Sequence, residues 1–272
     1  MVLNNLTFLI VFFIFISPST HANEDFTHYA FANYLGSGLY RTSEQNTTVV
    51  NVPLNFNIDN NNAESWFFHT PISFGFFNFK WDDVPNGDFP SSIGTVTLTP
   101  GIEYHLRTSE HHELQTYFDL GYGINNNSGS GVGIMSAGVS SLLDLAFKKT
   151  HPIWVNRLFF AGYRSVDTAE SETYSAVQSG IDMGTGIYWR WDWLGVDVEP
   201  RIFAAGYWYF DKLRFATPFA DDVLVSNSLE VGITLAFSKP ILWEWMGIER
   251  LGVSVRSGDG VQVWRLLFEL PI

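Results

Sequence analysis

Large apolar residues alternate with small or polar residues along many stretches of the chain, with a period of two rather than the 3.6 of a helix. Clear examples are 96–106 (VTLTPGIEYHL), 196–204 (VDVEPRIFA) and 229–237 (LEVGITLAF). Because successive side chains of a strand point to opposite faces of its sheet, each stretch predicts a strand with one apolar face. The pattern predicts an all-β protein.

The length of these stretches favours a membrane protein over a soluble sheet. They run for about 10–16 residues, whereas strands usually have about 5–6. Their alternate face carries glycine and charges of both signs, as the lumen side of a transmembrane strand does. We therefore predict a transmembrane antiparallel β-barrel of about twelve strands, with ten or fourteen as alternatives. The predicted strands are 28–41, 46–58, 66–80, 93–107, 113–125, 131–148, 152–166, 175–191, 193–209, 223–237, 247–257 and 261–271.

An even number of strands places both termini on the periplasmic side of such a barrel. The extracellular loops are then predicted at 42–45, 81–92, 126–130, 167–174, 210–222 and 258–260. Most tryptophans fall near the opposite, periplasmic ends: Trp66, Trp154, Trp189, Trp191, Trp193, Trp243 and Trp245. This clustering suits an aromatic girdle at one membrane surface.

Composition agrees with a membrane location. The chain has 17% aromatic but only 16% charged residues, against roughly 25% charged in ordinary soluble domains. It contains no cysteine, which excludes disulfides and thiolate metal sites. The formal net charge of −13 argues against a nucleic-acid partner, because nucleic-acid binding needs a basic face.

The first residues read as an export signal. Residues 6–16 (LTFLIVFFIFI) form an apolar run that is too short for a membrane-spanning helix, and 20–22 (THA) supply a small–x–small cleavage site. We predict a signal peptide at 1–22 and an outer-membrane barrel domain at 23–272. A short uncleaved anchor is the alternative.

Several glycine- and aromatic-rich motifs carry a family resemblance: FANYLGSGLYR (31–41), GIEYHL (101–106), FDLGYG (118–123), GIDMGTGIYW (180–189) and VDVEPRIFAAGYWY (196–209). The chain resembles the solitary autotransporter-type β-barrels of Gram-negative outer membranes. The resemblance implies a twelve-stranded translocator-like barrel without a passenger. It also implies outer-membrane lipids and lipopolysaccharide as surroundings, and insertion by the barrel-assembly machinery.

Enzymatic chemistry finds little support in the sequence. Asp82, Asp83, Asp221 and Asp222 fall in predicted outer loops, but every histidine of the mature chain falls toward the periplasmic half, so an outer Asp–His pair is missing. No mature histidine precedes a serine by two residues, the spacing used by outer-membrane lipid hydrolases. We expect no enzyme activity, cofactor or metal. A lipid-modifying enzyme of the deacylase or phospholipase type is the alternative, through a His–Ser pair from separate strands.

The polar phase of the strands carries charges that would face the lumen of a barrel. The candidate lumen-lining charges are Glu103, Arg107, Asp182, Arg190, Glu199, Arg201, Glu230 and Arg265. They would either line a narrow channel or form a salt-bridged plug, because pairing reduces the cost of holding charge beside a low-dielectric wall. The sequence leaves both functions open, as well as the oligomeric state.

Overall fold

The computed structural model describes residues 37–41, 46–61, 63–77, 95–125, 131–147, 149–166, 171–215, 223–241, 248–259, 261–268 and 270. Every regular element in these ranges is a β-strand, which confirms the all-β prediction. The strands are β1 (Gly38–Arg41), β2 (Asn46–Val52), β3 (Asn55–Asn60), β4 (Glu64–His69), β5 (Ile72–Phe77), β6 (Thr95–Leu98), β7 (Gly101–Ser109), β8 (His112–Asn125), β9 (Gly131–Asp144), β10 (Ile153–Ser165), β11 (Ser171–Gly184), β12 (Trp189–Trp191), β13 (Val196–Phe215), β14 (Val223–Ile241), β15 (Ile248–Gly258) and β16 (Val261–Leu267). The predicted signal peptide and the acidic pairs at 82–83 and 221–222 lie outside the described residues.

All strands belong to one antiparallel sheet that curls strongly. Each chain segment pairs with the next, and β1 also pairs with β16, with Gly38 opposite Arg265. Four pairs of strands continue one another along the same neighbours: β2 with β3, β4 with β5, β6 with β7, and β11 with β12. Counting each pair once leaves twelve segments in the described ranges, which is the predicted number.

A row of prolines explains why three predicted strands are each divided in two. Pro53, Pro71 and Pro100 lie side by side on neighbouring segments, and proline has no N–H group to give to a ladder. One backbone hydrogen bond connects each pair of neighbouring segments at this row. These bonds join Thr70 N to Leu54 O at 2.9 Å, Thr99 N to Pro71 O at 3.3 Å and Leu120 N to Pro100 O at 3.0 Å. The sheet therefore continues through an interruption that the alternation of side chains does not reveal.

The sheet has two contrasting faces, which we call the interior face and the outer face. Along β13 the interior residues Phe203, Ala205 and Tyr207 are buried, while Ile202 and Trp208 on either side of them are exposed. The same alternation leaves a continuous set of large apolar side chains exposed on the outer face. They include Ile102, Phe118, Leu120, Ile124, Leu158, Ile181, Leu229, Val231, Ile233, Val253, Trp264 and Leu266.

The interior face holds an aromatic cluster as well as charges. The rings of Phe159 and Tyr174 meet edge to face with centroids 5.7 Å apart, and Tyr174 lies 6.3 Å from Tyr209. Tyr174 is only 1% exposed. Aromatic packing thus adds to the charges on this face, because strands such as β13 carry aromatic residues on both faces.

Candidate functional site

The predicted charges separate into a buried or half-buried group and an exposed group. Six of the eight lie on the interior face: Glu103, Asp182, Glu199, Arg201, Glu230 and Arg265. Arg107 and Arg190 are exposed near strand ends. Arg190 pairs with Asp197 at 3.2 Å, and both side chains are more than half exposed, so this pair lies apart from the interior networks.

The first interior network is built around Arg201 on β13. Its Nε donates to Asp182 Oδ2 at 2.7 Å and its Nη1 donates to Glu199 Oε2 at 3.0 Å. Arg250 on β15 donates to the same Asp182 oxygen at 2.9 Å, although the sequence analysis did not single it out. Asp182 is 0% exposed, so two guanidinium groups compensate one fully buried carboxylate.

A missing side chain makes room for this network. Gly184 lies opposite Arg201 in the register, and a Cβ there would overlap Glu199 and lie 2.9 Å from Arg201 Nη1. Gly186, in the connection after β11, donates its N–H to Glu199 Oε1 at 3.3 Å. Gly184 thus leaves space for the charged groups of this network, and Gly186 donates a hydrogen bond to one of them.

The second interior network surrounds Glu230 on β14, which is 0% exposed. Arg265 Nη1 donates to both carboxylate oxygens, at 2.9 and 2.7 Å. Tyr207 donates to Oε2 at 2.7 Å and Ser254 to Oε1 at 2.5 Å. Arg256 lies over the Tyr207 ring, 3.6 Å from its centroid, and adds a cation–π contact. Every oxygen of this buried carboxylate therefore has donors on neighbouring strands.

The third interior group is a hydrogen-bonded row across four strands. His69 pairs in register with Gly101, Gly101 with Asp119, and Asp119 with Ser136. His69 Nε2 bonds to Asp119 Oδ1 over Gly101, which has no side chain to block the contact. Ser136 donates to Asp119 Oδ2 at 2.7 Å. The row lies directly beside the prolines Pro71 and Pro100.

This row continues along the interior face toward the strand ends. His69 Nδ1 lies 3.7 Å from Glu103 Oε2, and Glu103 Oε1 bonds to His105 Nε2 at 2.8 Å. His105 Nδ1 lies 3.2 Å from Glu113, which also accepts from Gln115 at 2.8 Å. Histidine and carboxylate thus alternate along one wall, in contrast to the arginine–carboxylate pairs of the other two networks.

Sequence reasoning missed several members of these networks, including His69, Asp119, Tyr207, Arg250 and Ser254. Asp119 belongs to the motif FDLGYG (118–123), whose family resemblance rests on its glycines and aromatic residues. The alternation along β8 predicts which face of the sheet Asp119 occupies, but the partners of Asp119 depend on the register between strands. Residues 50 positions apart, such as His69 and Asp119, meet only because β4, β7 and β8 are neighbours.

No protein-family model matches the chain, and no curated protein is significantly similar to it. Functional inference therefore depends on the geometry of the two faces. None of the described residues forms a helix that is long and apolar enough to cross a membrane. Within the same residues, no group of three or more His, Asp or Glu side chains is arranged to hold a metal ion.

Proposed function

We propose that the chain is an integral outer-membrane β-barrel of twelve antiparallel strands with a filled interior, acting as a structural surface element. The observation that carries the proposal is the distribution of residues on the two faces, which is the reverse of that in a soluble protein. Large apolar residues are exposed on the outer face, while Glu230 and Asp182 are fully buried on the interior face. A soluble protein rarely exposes an apolar surface of this extent.

The strand pairing supports a closed wall. Lipid offers no hydrogen bonds, so a sheet that spans a membrane needs a partner for every edge strand. The pairing of β1 with β16, together with the pairing of each segment with the next, supplies such partners. The even number of segments agrees with known bacterial outer-membrane barrels.

Aromatic residues near the predicted periplasmic ends suit a girdle at the membrane surface. Trp66 stacks on Tyr104 with ring centroids 4.5 Å apart on the outer face. At the β12–β13 turn, Trp191 lies 6.0 Å from Trp193 and 5.8 Å from Phe237. With this orientation we propose phospholipid and lipopolysaccharide as the surroundings, insertion by the barrel-assembly machinery, and kinship with autotransporter-type barrels.

The buried networks favour a plug over a channel. A twelve-stranded barrel is intermediate between filled eight-stranded barrels and open sixteen-stranded porins, so strand number does not decide. The described interior face combines the salt bridges of Asp182 and Glu230 with the buried rings of Phe159, Tyr174 and Tyr209. Such packing leaves the charges engaged with each other rather than with passing ions.

The first prediction concerns conductance. We expect the purified chain, folded and inserted in a planar bilayer in molar potassium chloride, to give no resolvable conductance steps, because paired charges and rings occupy the lumen. A sixteen-stranded porin in the same bilayer is the positive control. Reproducible steps from the wild-type chain would refute the filled interior while leaving the barrel itself intact.

The second prediction concerns which face meets lipid. The chain has no cysteine, so a single introduced cysteine can carry a spin label at a chosen site. A label at Ile233, which is 60% exposed, should collide with oxygen dissolved in the acyl chains, whereas one at Thr234 should be shielded and immobile. The measurement is oxygen-dependent relaxation in proteoliposomes.

Ile102 and Glu103 provide a second comparison of adjacent outer-face and interior-face positions. Glu103 is less buried than Thr234, so a spin label fits more easily at that interior position. Equal oxygen accessibility within both pairs of positions would rule out a membrane-spanning sheet. A soluble protein would also fail to show heat-modifiable migration in gels.

A further inference from the structure

The outer face carries a histidine–serine contact beside the hairpin that joins β7 to β8. His112 Nε2 lies 2.9 Å from Ser141 Oγ on the adjacent strand β9. The other ring nitrogen, Nδ1, lies 2.5 Å from Thr108 Oγ1. His112 and Ser141 come from two neighbouring strands, the arrangement that the sequence leaves open as an alternative without naming its residues.

The hydrogen bonds of Thr108 are compatible with a proton on Nδ1 of His112. The Thr108 hydroxyl donates its one hydrogen to the backbone carbonyl of His112 at 3.2 Å. With the hydrogen in that position, the hydroxyl oxygen can accept from His112 Nδ1–H. Nε2 is left with a lone pair and accepts from Ser141 O–H. This is the tautomer that a general base for a serine nucleophile requires.

The neighbours of Ser141 combine an amide donor with apolar surface. Asn156 on β10 is its partner in register, and Leu114 on β8 is its partner on the other side. Ser179 donates to Asn156 Oδ1 at 2.7 Å, so Nδ2 is the group that Asn156 can offer to an oxyanion. Ser141, Asn156 and Ser179 lie in register on three neighbouring strands of the outer face, and polar groups that face lipid are costly and often functional.

We propose that Ser141 is the nucleophile of an acyl hydrolase, with His112 as general base and Thr108 as its positioning residue, and that its substrate is an acyl ester of a membrane phospholipid. The substrate class rests on the proposed function, because only an outer face in contact with lipid presents Ser141 to such esters. Trp154 lies opposite Leu143, the register partner of His112, so the pair is level with the aromatic girdle. Lipid ester groups lie at this boundary between water and acyl chains.

The reaction balances with water as the co-reactant. Ser141 Oγ forms a bond to the ester carbonyl carbon as its proton passes to His112 Nε2. The carbon–oxygen bond to glycerol then breaks, and the leaving oxygen takes that proton to give a lysophospholipid. Water, deprotonated by the same Nε2, attacks the acyl-serine, which releases a fatty acid and returns the proton to Ser141.

The test uses the full chain folded in vesicles of phosphatidylethanolamine and phosphatidylglycerol. Two readouts are followed: covalent labelling by a fluorophosphonate, located by peptide mass spectrometry, and release of fatty acid with lysophospholipid. We expect labelling at Ser141 and acyl release. S141A should abolish both, and H112F should lower the rate of release about 10²–10⁴-fold, the usual contribution of a general base.

Matched variants separate chemistry from folding. S238A removes an exposed serine of β14 whose described bond is to the backbone N–H of Asp197, away from His112 and Asn156, and it should retain both readouts. T108V should slow release while T108S restores it, because only the hydroxyl holds the His112 tautomer. Heat-modifiable migration and far-ultraviolet circular dichroism confirm that each variant is folded.

The possible results are decisive. A folded wild-type chain that is neither labelled nor releases fatty acid refutes the proposal, as does activity that survives S141A. Labelling at Ser141 without acyl release refutes the phospholipid substrate. Failure of the barrel itself is distinguishable, since it shows as lost heat-modifiability and lost vesicle association, whereas the fluorophosphonate reacts with an activated serine in detergent as well.

Discussion

Replacing Glu230 with alanine is expected to lower the free energy of unfolding by about 3–5 kcal/mol, the usual cost of removing one partner from a buried ion pair. Arg265 would lose both of its carboxylate contacts, and the Tyr207 and Ser254 hydroxyls would lose their acceptor. Because Glu230 is 0% exposed, little water is available to replace it. The measurement is urea unfolding in detergent micelles followed by tryptophan fluorescence.

Two controls define the origin of this loss. E230Q keeps an acceptor for Tyr207 or Ser254 but removes the charge, so its destabilisation should be intermediate. D197N breaks the exposed pair with Arg190 and should change stability by no more than about 0.5 kcal/mol, as for most surface substitutions. If E230A and D197N proved equally mild, the interior network would not contribute to stability in the way the geometry indicates.

Substituting Gly101 with alanine is expected to destabilise the fold by about 1–3 kcal/mol through overpacking, and by a further ~1 kcal/mol through a lost hydrogen bond. A Cβ at this position would overlap Asp119 Oδ1 and would lie 2.7 Å from both His69 Nε2 and the Phe118 carbonyl oxygen. The Phe118 oxygen belongs to the backbone of β8 and cannot move aside as a flexible side chain could. The His69–Asp119 bond should therefore break, and the change in unfolding free energy measures the cost.

Gly133 on β9 is the matched control, because an added Cβ there meets nothing closer than the Arg164 carbonyl oxygen at 3.9 Å. G133A should leave stability nearly unchanged or slightly raised, since alanine restricts the unfolded chain more than glycine does. In a nitrogen-15 NMR spectrum, G101A should also shift the His69 ring signals while G133A leaves them in place. Unchanged His69 signals in G101A would contradict the proposed row.

The sequence predicted the strands well where alternation is strict. The predicted segments 113–125 and 152–166 agree closely with β8 and β10. It failed where other forces act: β13 continues to Phe215, into the predicted loop 210–222, and the proline row divides segments that read as continuous. Polar and small residues indicate contact with solvent, and such residues occur in loops as well as at the ends of strands.

The candidate sites depended more on the tertiary structure. Parity along a strand placed Asp182, Arg201 and Glu230 on one face, but it also grouped them with Arg190, which lies exposed beside Asp197. The buried charges lie further from the strand ends than Arg190 does. The alternation of side chains gives the face of a residue but not its distance from the strand end. The His112–Ser141 contact was likewise inaccessible, because the two residues lie 29 positions apart and adjoin only through the β8–β9 register.

The sequence by itself determined the all-β class, the approximate strands and which residues share a face, because the two-residue repeat of a strand is a local property of the backbone. Only the tertiary structure decided which strands are neighbours, where Gly101 lets His69 reach Asp119, and which carboxylate each arginine pairs with. Those features depend on register between segments distant in sequence, and on the space left where a side chain is missing.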